Sequence, residues 1–168
     1  MIRFVVVASL LVGCRISLSH EPGDDPGTDA NGGRACTVST TSQACLDAVT
    51  HSDLSWIEAN VFVGSCNFAG CHNGAAGNDS TVDLSPGMSR AHMVNFTSHI
   101  DPTRKIVVPN DVAASYLMLM LGDVAPAMAS PPASGLPGAG RMPQGAPILC
   151  CQKLDAIERW ITAGAPTN

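Results

Sequence analysis

The segment that most constrains this chain is Cys66-Asn67-Phe68-Ala69-Gly70-Cys71-His72, where two thiols flank four residues and a histidine follows the second thiol. The shorter pattern C-x-x-C-H is the signature of covalent haem attachment. Each thiol of such a motif can add to a haem vinyl group, and the adjacent histidine can ligate the iron. The segment therefore predicts either a haem-binding loop with an unusually long spacer or two cysteines that are used in disulfides.

The remaining cysteines leave both uses open. Of the seven cysteines, Cys14 follows the predicted export signal directly, and six lie after it: Cys36, Cys45, Cys66, Cys71, Cys150 and Cys151. In an oxidising compartment all six can pair, in fifteen different ways. If haem takes two thiols, the other four can still form two disulfides. Because a bond between adjacent cysteines is strained, Cys150 and Cys151 are each expected to bond elsewhere.

The start of the chain predicts export and lipid anchoring. Arg3 precedes the short apolar run 4–12, which is too short to span a bilayer. The run ends in Leu11-Val12-Gly13-Cys14, which resembles a bacterial lipobox. We expect a signal peptide at 1–13, an acylated Cys14 with a flexible tether to residue 50, and a folded domain at 51–168. The alternative is an ordinary secretory signal with a chance cysteine.

The composition and motifs of the chain limit the classes of partner and activity that we expect. The chain has 168 residues and a formal net charge of −5, which argues against non-specific nucleic-acid binding, since that requires a basic surface. We expect no nucleic-acid partner. A lipid anchor predicts a protein of the cell envelope that faces the periplasm or the cell surface. Motifs of catalytic serine, phosphate-binding and catalytic zinc sites are missing from the sequence, so we do not expect an enzyme.

Hydrophobic periodicity and capping residues predict four helices. They lie at about 53–63, with Ser55 or Ser52 as N-cap, at 85–95, with Ser85 as N-cap, at 111–121, and at 151–163, where Gly164 ends the last helix. Residues 122–147 form a long loop rich in Pro, Gly, Ala and Ser. Strand signals are brief. The predicted fold class is all-α, a small helical domain with long loops.

The order of short motifs around Cys66–His72 resembles the cytochrome c family, in particular the divergent c-type domains of myxobacteria and planctomycetes. The resemblance covers about residues 53–166. The matching elements are Val61-Phe62, Asp83-Leu84-Ser85, Val108-Pro109 with Asp111, Ser115-Tyr116-Leu117, Met142-Pro143, Trp160-Ile161 and Gly164-Ala165.

The resemblance implies a role for each matching position. Cys66 and Cys71 would hold one covalent haem c, His72 would be the proximal iron ligand, and Met142 would be the distal ligand. A thioether opposite an imidazole suits electron transfer, so redox proteins would be the partners. Other methionines, and His92 or His99, are alternative distal ligands. The competing hypotheses are a haemless, disulfide-bonded lipoprotein that binds a partner or serves structure, a catalytic haem protein with an open distal position, and a zinc site.

Overall fold

A computed structural model describes residues 34–68, 70–74, 82–135, 137–138 and 140–167 of the chain. The predicted signal peptide, the acylation site Cys14 and the start of the tether lie outside the described residues. Those three expectations therefore stay predictions.

Helices form the regular structure of the described residues. The α-helical segments are α1 (Gln43–Asp47), α2 (Leu54–Ile57), α3 (Val63–Ser65), α4 (Ser89–Met93), α5 (Tyr116–Leu121) and α6 (Cys151–Thr162). Short 3-10 turns occupy Ala48–Thr50 and Pro126–Met128, and β-pairing within these ranges consists of isolated bridges. At this level the prediction of a small helical domain with long loops is confirmed.

The first predicted helix is present, but with a different cap and an irregular centre. The Asp53 side chain accepts a hydrogen bond from the backbone N–H of Trp56 at 2.9 Å, so Asp53 is the N-cap and the choice of Ser55 or Ser52 was wrong. A π-helical turn at Glu58–Phe62 joins α2 to α3. Such a turn adds a residue to the local repeat and is common near functional sites. Here it directly precedes the segment that carries Cys66.

The second and third helices are shorter than predicted, because side chains satisfy the backbone before either helix begins. The Asp83 carboxylate accepts from the N–H of Ser85 at 2.8 Å, and α4 starts only at Ser89. The Ser115 hydroxyl accepts from Val108 N–H at 3.0 Å and donates to the Asp111 carbonyl at 2.7 Å. Serine and aspartate often replace helical hydrogen bonds in this way. Ser85 is therefore not a helix N-cap, and the third helix loses its predicted first turn.

The last helix is the centre of the core. Its predicted start is confirmed, and Gly164 follows its end in a left-handed conformation with φ 92°. One face of α6 is fully buried, including Leu154, Ile157, Trp160 and Ile161, and it packs against α1 and α2. Truncation of a buried aromatic or aliphatic side chain costs about 2–5 kcal/mol. Truncation of a buried side chain of α6 should therefore lower the stability of the domain markedly.

Within the part of the chain that the structure describes, none of the helices combines the length and the apolarity needed to cross a membrane.

Candidate functional site

The predicted motif folds back on itself just after α3. The carbonyl of Phe62 accepts from both Cys66 and Asn67 N–H groups at 2.8 Å, and His72 N–H donates to the Cys66 carbonyl at 3.2 Å. Gly70 has φ 84°, a conformation that a side chain would strain. The ring of backbone hydrogen bonds brings His72 back beside Cys66 despite the four-residue spacer.

A cavity of about 320 Å³ opens beside this loop. That volume lies in the range of small-molecule and cofactor sites, about 300–1,000 Å³. The four residues predicted as the haem site, Cys66, Cys71, His72 and Met142, all line it. Most other wall residues are apolar: Val61, Phe62, Phe68, Val82, Leu84, Met93, Ile100, Ile106, Leu117, Met120, Leu121, Pro143 and Leu149.

The other four mature-chain cysteines are paired with one another. Cys36 is bonded to Cys151, and Cys45 is bonded to Cys150. Cys66 and Cys71 carry free thiols. The bond from Cys66 or Cys71 to Cys150 or Cys151, which the haemless hypothesis predicted, is not formed. The expectation that the adjacent cysteines bond to different partners is confirmed.

The two free thiols differ in their surroundings. Cys71 is exposed, whereas Cys66 packs against the core. Burial raises the pKa of the Cys66 thiol to about 11, with a smaller contribution from Cys71, while Lys153 acts in the opposite direction. A thiolate is the form that attacks electrophiles and binds metal ions. Cys66 is therefore a neutral thiol near pH 7, which disfavours a role as a catalytic nucleophile.

His72 is oriented by a backbone contact. Its ring Nδ1 lies 3.0 Å from the carbonyl oxygen of Val82. A carbonyl can only accept, so Nδ1 carries the proton and Nε2 holds the lone pair of the neutral ring. Metal-ligating histidines are commonly fixed by such a contact. Within the described ranges no three His, Cys, Asp or Glu side chains converge as a metal site, so the zinc alternative has no ligand set there.

Met142 reaches the cavity from the loop before α6. Its backbone N–H donates to the Met120 carbonyl at 2.8 Å, and its side chain packs half-buried against the core. Among the alternatives, Met93, Met120 and His99 also line the cavity. His92 does not line it, and its ring stacks on Phe96 with centroids 6.1 Å apart. The exposed Met88 and Met128 are likewise absent from the wall.

No pattern in the sequence predicts that the loop 98–104 forms another side of the cavity. Buried Ser98 accepts from the N–H groups of Ile100 and Asp101, each at 3.2 Å, and closes a tight turn. Ser98, His99 and Ile100 thereby contribute to the wall. A serine one residue before a histidine is a common sequence, so no local signal marks this turn as part of a site.

Comparisons with protein-family models, with curated proteins and with solved structures find no match to this chain. The chemistry that the cavity can support is therefore argued from its own residues.

The donor set of the cavity fits a covalently attached haem. Two thiols without disulfide partners, an oriented imidazole and a thioether meet at an apolar wall. Each thiol S–H can add across a vinyl C=C bond, with sulfur bonding one carbon and hydrogen the other, so no atom leaves. The apolar wall suits a porphyrin face, and imidazole with thioether is an established pair of iron ligands.

Proposed function

We propose that the domain is a cytochrome c-like module that binds one haem covalently and carries single electrons outside the cytoplasm. One observation carries the proposal: Cys66, Cys71, His72 and Met142 line one apolar cavity, while every other described cysteine is in a disulfide. The bound haem would supply reversible one-electron chemistry at its iron.

The protein would act by holding the haem and shielding it from water. Cys66 and Cys71 would anchor it through thioethers, and His72, whose ring is oriented by the Val82 carbonyl, would ligate the iron. Met142, on the loop before α6, would be the second iron ligand, and its backbone N–H donates to the Met120 carbonyl. The buried side chains on the wall would exclude water. We propose no bond-making reaction on a substrate, so the protein would be an electron carrier and not an enzyme.

The cellular setting belongs to the same proposal. The lipobox-like end of the first fourteen residues supports acylation of Cys14, and the polar run after it supports a flexible tether. The domain would then be anchored to a membrane of the cell envelope, with redox proteins as partners. Two disulfides support an oxidising compartment.

Haem staining of the full-length chain tests the proposal. The chain is produced together with a c-type cytochrome maturation system, separated on a denaturing gel and stained for haem. We expect a stained band, which the Cys66→Ser/Cys71→Ser double variant loses. Each single variant keeps one thioether and shows a shifted pyridine-haemochrome spectrum. A colourless, unstained wild-type product would contradict the proposal and favour the haemless module.

Two methionine variants test the distal ligand. Met142→Leu removes the thioether from the cavity, whereas Met128→Leu changes an exposed methionine that does not line it. We expect Met142→Leu to abolish the weak far-red absorption band of thioether-ligated ferric haem, and Met128→Leu to retain it. If both variants retain the band, Met142 is not the ligand, and Met93 or Met120 takes its place.

A further inference from the structure

Glu58 carries a buried carboxyl group that none of the proposed haem contacts uses. The residue is 7% exposed and begins the π-helical turn that follows α2. Its Oε2 accepts from the backbone N–H of Gly87 at 2.9 Å, and its Oε1 accepts from the hydroxyl of Ser89. Burial of a carboxyl group is costly unless such bonds replace those to water. The two bonds therefore fasten residues 87–89 to the π-helical turn.

Turns, and not regular helix, form the segment 82–88 that leads into α4. Asp83 accepts from the N–H of Ser85 at 2.8 Å, which begins this series of turns. Gly87 has φ 82°, a left-handed conformation that glycine adopts without steric cost. The resulting backbone presents the N–H of Gly87 and the buried hydroxyl of Ser89 to the same carboxyl group. Without that group, both donors would lose their acceptor.

The same segment holds His72 at two points. The carbonyl oxygen of Val82 lies 3.0 Å from the ring Nδ1, and the N–H of Leu84 donates to the His72 carbonyl at 2.8 Å. Leu84 is buried in the core, and both Val82 and Leu84 line the cavity. The ring and the backbone of His72 therefore both depend on where this segment lies.

The other end of the motif is held by the element to which Glu58 belongs. Phe62 ends the π-helical turn that Glu58 begins, and its carbonyl accepts from the N–H of Cys66 at 2.8 Å. One element thus positions Cys66, and a separate segment orients His72. The carboxyl group of Glu58 connects the two.

We propose that Glu58 is a positioning residue for His72: its carboxyl fixes the segment 82–89 against the helical stretch before Cys66, and thereby holds the ring with its proton on Nδ1 and its lone pair on Nε2. Contacts behind a ligating histidine influence how it binds a metal. The part of the inference that concerns iron rests on the proposed function, whereas the effect on the ring does not.

Nitrogen NMR of the His72 ring in the haem-free chain, with its disulfides intact, tests the inference. The chemical shifts of the two ring nitrogens report which one carries the proton in a neutral imidazole, the form obtained at about pH 8.5. In the wild type we expect a protonated Nδ1 and an unprotonated Nε2. Glu58→Leu removes both acceptors at similar volume, so the two shifts should move towards each other as the second tautomer becomes populated.

Two further variants separate positioning from a general loss of stability. Glu158→Leu is the matched control, because Glu158 is 39% exposed and lies on α6 beside Arg34. It should keep the wild-type His72 shifts, even if its unfolding temperature falls. Glu58→Gln should keep them too, because its side-chain oxygen can accept from Gly87 and its NH₂ can donate to the Ser89 hydroxyl oxygen.

Ser89→Ala keeps the test decisive if Glu58→Leu does not fold. It removes the hydroxyl contact and leaves the contact with Gly87, so the His72 shifts should move in the same direction by a smaller amount. The inference is overturned if a folded Glu58→Leu, or Ser89→Ala in its place, keeps the wild-type ring shifts. A Glu158→Leu variant that changes them as much as Glu58→Leu would overturn it as well.

The haem-loaded protein separates this inference from the proposed function. Covalent attachment needs the two thiols and not Glu58, so Glu58→Leu should keep the haem-stained band while part of its ferric haem changes from low-spin to high-spin. A wild-type chain that does not stain contradicts the proposed function, and the ring shifts then decide the role of Glu58. Unchanged ring shifts in Glu58→Leu, together with a stained band, overturn that role and leave the proposed function intact.

Discussion

The Nδ1 atom of His72 lies 3.0 Å from the carbonyl oxygen of Val82, ten positions further along the chain. This contact fixes the protonated nitrogen of the ring and leaves the lone pair on Nε2. The ring also lines the cavity, together with two thiols and a thioether. Replacement of His72 is therefore expected to have a specific spectroscopic effect.

Under the proposed haem ligation, replacement of His72 should change the spin state of the iron. His72→Ala would remove the proposed proximal imidazole, so we expect the absorption spectrum of the haem-loaded protein to shift from a low-spin to a high-spin form. His92→Ala is the matched control, because His92 lies outside the cavity wall. If both variants keep the wild-type spectrum, another residue is the proximal ligand.

The two motif thiols should differ in reactivity in the haem-free chain. Since burial raises the pKa of Cys66 to about 11, little of it is thiolate at pH 8. We expect iodoacetamide to modify exposed Cys71 roughly tenfold faster than Cys66. Peptide mass spectrometry over time measures both rates, and Cys66→Ser verifies the assignment. Equal rates at pH 8 would show that Cys66 is not held in a buried environment.

The contributions of the two disulfides to the free energy of unfolding should not be additive. Each bond alone closes a loop of more than 100 residues, which the chain-entropy relation values at about 4.7 kcal/mol. With one bond in place, the other closes only a loop of roughly ten residues, worth about 3 kcal/mol. Removal of either pair by serine should therefore cost about 3 kcal/mol, whereas removal of both should cost about 8 kcal/mol, which exceeds the sum of the two single losses.

Urea denaturation of three variants measures these costs. Cys36→Ser/Cys151→Ser and Cys45→Ser/Cys150→Ser should lose similar unfolding free energy, and the quadruple variant should be largely unfolded at room temperature. A large difference between the two double variants would mean that local packing, and not chain entropy, sets the contribution of each bond.

The cap of α2 should make stability sensitive to acid. The hydrogen bond from His51, together with smaller backbone and hydroxyl contacts, lowers the pKa of Asp53 from 3.8 to about 2. A depressed folded-state pKa gives stability that is complete above about 4 and is lost as pH falls toward 2. Asp53→Asn keeps a capping oxygen but cannot titrate, so its unfolding midpoint should fall less than that of the wild type over this range. If the unfolding midpoints of the variant and the wild type fall in parallel, the Asp53 cap does not depend on its charge.

The sequence was informative where local patterns decide structure. The start of α6 and its apolar face follow from helical spacing, and Gly164 ends the helix as expected. The second and third helices were predicted too long, because Asp83 and Ser115 bond the backbone in ways that their residue types permit but do not require. Propensity alone does not distinguish a cap from such a turn.

The sulfur and nitrogen side chains that line the cavity could be named from the sequence, but most of the other lining residues could not. The spacing of Cys66, Cys71 and His72 is local and can be read directly, and Met142 entered through the order of the resembling motifs. The disulfide partners could not be chosen, because six cysteines allow fifteen pairings. The wall formed by residues 98–100 and by Leu149 depends on contacts between distant segments, which no short pattern encodes.

The bond between Cys36 and Cys151 also determines how a pulling force would travel through the molecule. Tension applied between the two ends of the chain passes from Cys36 directly to Cys151 and then along α6. All residues that line the cavity lie between these two cysteines in the sequence, so they are outside the covalent path that bears the load. A domain pulled at both of its ends would therefore keep the residues of the cavity outside the covalent path that bears the force.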